Sequence, residues 1–158
     1  RVVSTVVQST DLDFIFNQQG KVQSIPGYIS DSHYNAFGSL LNRTYNHNLI
    51  QTFSYNVTNN RLLTIAIPSV QSLTYTYDSV GNILTLNDTI NSRSHNLTYD
   101  SLDRLISVQI GSDQFGYSYN SLGNMMKIVR NGASKKFVYN GSQAHAPSKV
   151  IESAAGAY

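Results

Sequence analysis

The sequence predicts an all-β protein made of antiparallel hairpin repeats, each about 20 residues long, stacked as a spiralling sheet or a β-solenoid. Three observations carry this. An aromatic residue followed by Asp or Asn recurs at Phe16-Asn17, Tyr34-Asn35, Tyr55-Asn56, Tyr77-Asp78, Tyr99-Asp100, Tyr119-Asn120 and Tyr139-Asn140, at spacings of 18, 21, 22, 22, 20 and 20 residues. Four residues after each aromatic stands Gly20, Gly38, Asn59, Gly81, Asp103, Gly123 or Gln143, mostly types that take positive φ readily. The segments leading into the aromatics alternate apolar and polar side chains with the period of a strand.

Taken in order, Val2-Val3, Val6-Val7 and Leu12 to Phe16 are expected to be strand before the first turn. At each turn the Asp or Asn side chain bonds to backbone two residues on, and the glycine-type residue closes a type I turn with a bulge. An apolar residue then opens the return strand: Val22, Leu40, Leu62 (one position late), Ile83, Leu105 and Met125, whereas the seventh unit has His145 there and departs from the pattern. Phe53 and Tyr55 share a face opposite Ser54. Leu73, Tyr75 and Tyr77 do so opposite Thr74 and Thr76, and Phe115, Tyr117 and Tyr119 opposite Gly116 and Ser118. Pro26-Gly27 and Pro68 read as loops between units, and Asn91-Ser92, Gly111-Ser112 and Asn131-Gly132 as second turns. Each unit is then two strands of roughly seven residues, about 23 Å long.

The segments Tyr75-Thr-Tyr-Asp-Ser-Val-Gly-Asn-Ile83, Leu97-Thr-Tyr-Asp-Ser-Leu-Asp-Arg-Leu105 and Tyr117-Ser-Tyr-Asn-Ser-Leu-Gly-Asn-Met125 resemble the YD repeat, also called the Rhs repeat. Weaker copies surround Phe16, Tyr34 and Tyr55, and the stretch from Tyr139 to Lys149 is similar to a variant of it. Residues 1–158 are read as one array, with the best-matching repeats in 73–143, weaker copies in 13–72, and 144–158 as the start of a further repeat or a tail. The family includes bacterial Rhs and insecticidal toxin-complex shells and the animal teneurins. The resemblance implies a spiralling β-sheet that encloses a hollow cavity. Those shells commonly end in an Asp-Pro-containing terminator followed by a toxin. This sequence contains no Asp-Pro, so neither feature is carried over.

A chain of 158 residues has the length of one domain and would bury about 70% of its unfolded surface if compact. Its composition is 41% hydrophobic but only 13% charged, about half the usual charged share, and it has 11 Tyr and no Cys. The absence of Cys excludes disulfides and thiolate metal sites. A net charge of +2 with scattered basic residues argues against a nucleic-acid partner, and no apolar run approaches the ~20 residues of a membrane-spanning helix.

The residues offer little catalytic chemistry. His33, His47, His95 and His145 lack metal-ligand spacing. Asp100 and Asp103 both fall at a turn, and Asp11 and Asp13 lack the glycine and distal Glu of a calcium loop. No nucleophile elbow, phosphate loop or dinucleotide fingerprint is present. No catalytic, cofactor or metal residue is therefore expected. Five Asn-x-Ser/Thr sequons occur, at Asn42, Asn56, Asn87, Asn96 and Asn140, a mild excess over chance. Asn56 and Asn140 directly follow their aromatics and suit turns. Asn96, opposite in face to Leu97 and Tyr99, is the best N-glycosylation candidate. The aromatic ladder can also be read as a carbohydrate-stacking surface, although aromatics in register more often pack across strands.

The expectation is thus a non-enzymatic, extracellular or cell-surface structural module. It stacks on itself through open sheet edges into a filament, or joins flanking repeats of a longer chain in a larger β-shell. One alternative is a fragment of a toxin-encapsulating shell whose toxin domain lies outside this chain. Another is an adhesive, glycan-binding module. The partners expected are copies of itself or flanking repeats, with surface glycans as covalent additions.

Overall fold

The computed structural model describes residues 12–154, so the expected strands at Val2-Val3 and Val6-Val7 and the last four residues of the segment 144–158 lie outside the described residues. Fourteen strands follow one another: β1 (Ile15–Phe16), β2 (Val22–Ser24), β3 (Ile29–Tyr34), β4 (Leu40–Tyr45), β5 (Leu49–Tyr55), β6 (Leu62–Ile67), β7 (Gln71–Tyr77), β8 (Ile83–Asp88), β9 (Arg93–Tyr99), β10 (Leu105–Ile110), β11 (Asp113–Tyr119), β12 (Met125–Arg130), β13 (Ala133–Val138) and β14 (Lys149–Ser153). Strands β3 to β14 form one twelve-stranded antiparallel meander in sequence order, and β1 with β2 form a separate hairpin. At about 4.8 Å per strand the meander is roughly 53 Å wide. Strand β1 covers only Ile15–Phe16, shorter than the predicted Leu12 to Phe16.

The turns at one rim follow the Asx logic of the sequence. The Oδ1 of Asn35 accepts from the amides of Phe37 and Ser39, both at 2.9 Å. Asp100 accepts from Leu102 and Arg104 at 2.9 and 3.0 Å, and Asn120 from Leu122 and Asn124 at 3.0 and 2.9 Å. Positive φ then appears at Gly20, Gly38, Gly81, Asp103 and Gly123. In the third unit the left-handed residue is Asn60 (φ 54), not Asn59. That unit is one residue longer, which also explains why Leu62 opens its strand late. The seventh turn differs: Asn140 pairs with the Ser148 hydroxyl, and the chain wanders to Lys149 before the next strand begins.

The opposite rim uses a different turn each time. Asn131 (φ 48) and Gly132 (φ 88) make a two-residue hairpin with both residues left-handed, and Gly111 (φ 58) opens another at Gly111-Ser112. Three residues, Pro68 to Val70, join β6 to β7, and Asn46–Asn48 form a 3₁₀ turn between β4 and β5.

The sheet has no second layer among the described residues. Of the described residues only Ile29, Ser32 and Asn124 are buried, and the chain exposes 11307 Å², against roughly 7,900 Å² for a compact protein of this mass. The compact burial estimated from length is therefore not reached, because a single layer leaves both faces of the sheet without a packed layer against them.

Candidate functional site: the seams between repeats and the two faces of the sheet

The return strands β4, β6, β8, β10 and β12 carry a bulge at one fixed position, whereas β14 has none. Tyr55 pairs with Leu62 while Ser54 pairs with Thr64, which leaves Leu63 as the extra residue. The same shift makes Leu41, Leu84, Ile106 and Met126 extra opposite Tyr34, Tyr77, Tyr99 and Tyr119. The sequence carried a signal for this that alternation alone misses. Two aliphatics stand side by side at Leu40-Leu41, Leu62-Leu63, Ile83-Leu84, Leu105-Ile106 and Met125-Met126, and such a doublet breaks a period of two.

The bulge has a hydrogen-bonding consequence. Beyond it the return strand no longer pairs with the strand that follows: β6 and β7 pair only from Thr64↔Thr74 onward, two residues past Leu62. The Leu62 carbonyl then needs another donor, and the next repeat's tyrosine supplies it. Tyr77 Oη donates to Leu62 O at 2.7 Å, Tyr55 to Leu40 at 2.9 Å, Tyr99 to Ile83 at 3.0 Å, Tyr119 to Leu105 at 2.9 Å, Tyr139 to Met125 at 2.8 Å and Tyr34 to Val22 at 2.6 Å. Six tyrosines thus tie each repeat to the one before it, a role that sequence reasoning, which weighed ring packing and carbohydrate stacking, did not reach.

A second set of bonds joins successive turns. Arg61 donates to the carbonyls of Asp78 (2.7 Å) and Ser79 (3.1 Å), and its guanidinium lies 5.8 Å from the centre of the Tyr77 ring. Asn82 bridges Asp78 (2.9 Å) and Asp103 (2.8 Å). Arg104 holds Asp100 at 2.7 Å, reaches Asn120 O at 3.1 Å and lies 4.9 Å from the Tyr119 ring centre. Asn124, nearly buried, donates to Ala144 O at 2.6 Å, and its Oδ1 meets His145 Nδ1 at the same distance. Sequence reading placed Asn82, Arg104 and Asn124 within the quoted repeats but not as braces between them, and it did not single out Arg61.

The register sorts side chains onto two faces. One carries the rows Phe53↔Ile65↔Leu73, Leu97↔Val108↔Phe115 and Tyr117↔Ile128. The other carries Ser54↔Thr64↔Thr74↔Asn87↔Ser94 and Thr76↔Thr85↔Asn96↔Gln109↔Gln114, with hydroxyl contacts of 2.6 Å between Ser54 and Thr64 and 2.7 Å between Thr76 and Thr85. Among the sequons, Asn96 is exposed on this polar face. Asn42 and Asn87 are half-buried, with Asn87 accepting from Ser94 at 2.6 Å, while Asn56 and Asn140 are engaged in turns.

Local hydrogen bonds and burial shift several titratable groups. The Arg104 side chain holds the Asp100 carboxyl below the usual range, and the Asn91 side chain does the same for Asp88. At Asp78 partial burial pushes upward, but the Asn82 side chain and three turn amides outweigh it and lower the value. Burial raises the phenols of Tyr55, Tyr75, Tyr77 and Tyr99. The sign at each end follows by linkage. The carboxylate contribution is complete above the ordinary carboxylate pKa of about 3.9 and is lost as pH falls through the depressed folded values. The tyrosine contribution is complete below about 10 and is lost as pH rises through the raised ones. Urea midpoints followed by circular dichroism should be flat from about pH 5 to 9 and fall on both sides; a midpoint that rises on acidification would contradict this.

Among the described residues no group of three or more His, Asp or Glu could hold a metal. His33 pairs with Asp31 at 2.9 Å in the open, His47 sits in the 3₁₀ turn, and His95 Nδ1 lies 3.2 Å from Leu86 O. A groove of about 460 Å³ beside Arg61, Tyr75, Tyr77 and Asp78 contains no nucleophile paired with a base.

No protein-family signature matches the chain, and no curated protein matches it in sequence. Solved structures do match in fold. The complex TcdB2-TccC3-Cdc42 aligns with a TM-score of 0.72 at 18% identity, and TcdB2-TccC3 without its hypervariable C-terminal region with 0.73 at 19%. The Tc holotoxin pore of Photorhabdus luminescens aligns with 0.72 at 21%. Each match covers 89% of this chain and 9% of the other. The likeness is one of fold, and it accords with the resemblance to YD-repeat proteins seen in the residues.

Proposed function

We propose that this chain is a non-enzymatic wall segment: a YD-repeat sheet that joins flanking repeats to form part of a larger, surface-exposed or extracellular β-shell. The observation that carries the reading is the single-layer twelve-stranded meander, whose repeats are tied by one tyrosine bond each and whose half-buried apolar face has no second layer over it among the described residues. A structure of this kind gains burial by adding neighbours rather than by thickening, as quasi-one-dimensional repeats do. The fold neighbours support it, since a stretch of this size makes up 9% of each of those Tc toxin chains. In the toxin-shell version the cargo would sit in a separate domain.

A filament of stacked copies is the second reading. It is favoured by the outermost strand β14, on which Val150 and Ile151 are 47% and 43% exposed. The adhesive reading has less support, because the six repeat tyrosines direct their hydroxyls into the seams. Expression of the complete reading frame that contains this sequence, imaged by negative stain, tests the choice. The shell reading expects closed hollow particles of uniform size; fibres that lengthen with concentration, or solid particles with no lumen, would count against it.

A further inference from the structure

The polar face changes character at its last three strands. Lys127 on β12 stands directly opposite Lys136 on β13, and Lys149 on β14 lies on the same face, diagonal to Lys136. Like charges directly opposite each other destabilise an antiparallel pair. No carboxylate offsets them: the acidic partners in this region, Asp113 for Arg130 and Glu152 for Lys135, stand on the apolar face, and the ion pairs of the described residues include none of the three lysines. The one strand carboxylate on the polar face, Asp31, belongs to β3 at the far side of the sheet. At roughly 50 Å it is several screening lengths away.

The lysines adjoin an edge. Strand β14 pairs on one side with β13 and has no strand on its other side among the described residues, so alternate N–H and C=O groups of Lys149–Ser153 face outward. A strand added there would place residues opposite Lys149, Ile151 and Ser153 on the polar face. A carboxylate opposite Lys149 would meet it directly. One opposite Ile151 would sit between the reach of Lys149 and that of Lys136, whose cross-strand partner is Ile151. On the other face, Val150 would receive an apolar residue.

From this the geometry points to an occupant for the edge: the next strand of the array, with Glu or Asp on its polar face and aliphatics on its apolar face, selected by Lys136 and Lys149. This rests on the reading that further repeats join the sheet, and it adds the chemistry by which the correct strand is chosen. Main-chain bonds supply the attachment, and the lysines supply the discrimination between strands.

The test uses the 158-residue chain and two labelled peptides of about nine residues, one alternating Glu with Val and the other Lys with Val. Fluorescence anisotropy reports binding in about 50 mM and about 500 mM NaCl, where screening lengths differ about threefold. Hydrogen exchange reports protection of the β14 amides. The acidic peptide should bind about tenfold more tightly than the basic one at low salt, lose most of that advantage at high salt, and protect β14. Lys136→Glu with Lys149→Glu should reverse the preference, with circular dichroism checking that strand content is kept; the salt arm stands on the native chain should that variant unfold. Equal binding of both peptides with β14 protected overturns the selection by lysines and leaves the reading of joined repeats intact. No protection by either peptide overturns both.

Discussion

Replacing Tyr77, Tyr99 and Tyr119 together by Phe is expected to lower the stability of the chain by about 3 kcal/mol, about 1 kcal/mol for each hydroxyl bond removed. Each of the three donates to a carbonyl that the neighbouring strand has abandoned at a bulge, at 2.7, 3.0 and 2.9 Å. The rings stay, so ring packing is not altered, and the loss reports the bond. Successive seams lie two strands apart, about 10 Å, so the single effects should add to within a few tenths of a kcal/mol. Tyr117→Phe is the control: the residue shares their face and its hydroxyl makes no hydrogen bond to another described residue, so it should change stability by less than about 0.5 kcal/mol. Urea denaturation followed by circular dichroism measures the three single variants, the triple variant and the control. A triple variant as stable as the native chain would show that water serves those carbonyls equally well and that the tyrosine ladder does not bind the repeats together.

Gly81→Val should cost a similar amount, about 3 kcal/mol, at a single position. Gly81 has φ +115, a conformation essentially reserved for glycine, and a Cβ there would stand 3.1 Å from an Arg61 guanidinium nitrogen. The same guanidinium holds the carbonyls of Asp78 and Ser79, so the substitution strains the backbone and loosens the brace between two turns. The neighbouring repeat provides the contrast. Asp103 occupies the equivalent turn position at φ 58, within reach of an Asx residue, and its side chain accepts from Asn82 at 2.8 Å. Asp103→Gly should therefore be nearly neutral, since relief of the left-handed backbone offsets the lost bond. If the Val variant at Gly81 unfolds at the native urea midpoint, the turn is not the rigid element described above.

The hairpin architecture was legible because three local signals agree in most units. Asx at the turn, a residue tolerant of positive φ three places later and period-two strands each act within a few residues, and local backbone chemistry suffices to specify them. Two departures were legible for the same reason, Leu62 standing one position late and His145 replacing the apolar residue of the seventh unit, which forms no strand until Lys149; the left-handed residue of the third unit, read at Asn59, falls instead at Asn60. What escaped were interactions between units. Arg61, Asn82, Arg104 and Asn124 look like ordinary turn residues until the next turn is set about 10 Å away, at the distance their side chains span.

The amino-acid order alone thus sets where most strands begin, which face their side chains take and where the chain reverses, because those are decided by sterics and hydrogen bonding over a handful of neighbours. Three-dimensional assembly alone decides that the repeats lie in one open layer, that a bulge frees one carbonyl per repeat, and that a tyrosine from the following repeat satisfies it. Those outcomes depend on pairs 12 to 16 residues apart meeting in space. No local propensity reports such a meeting, since the free energy of a hydrogen bond to a vacated carbonyl exists only once the neighbouring strand is in place.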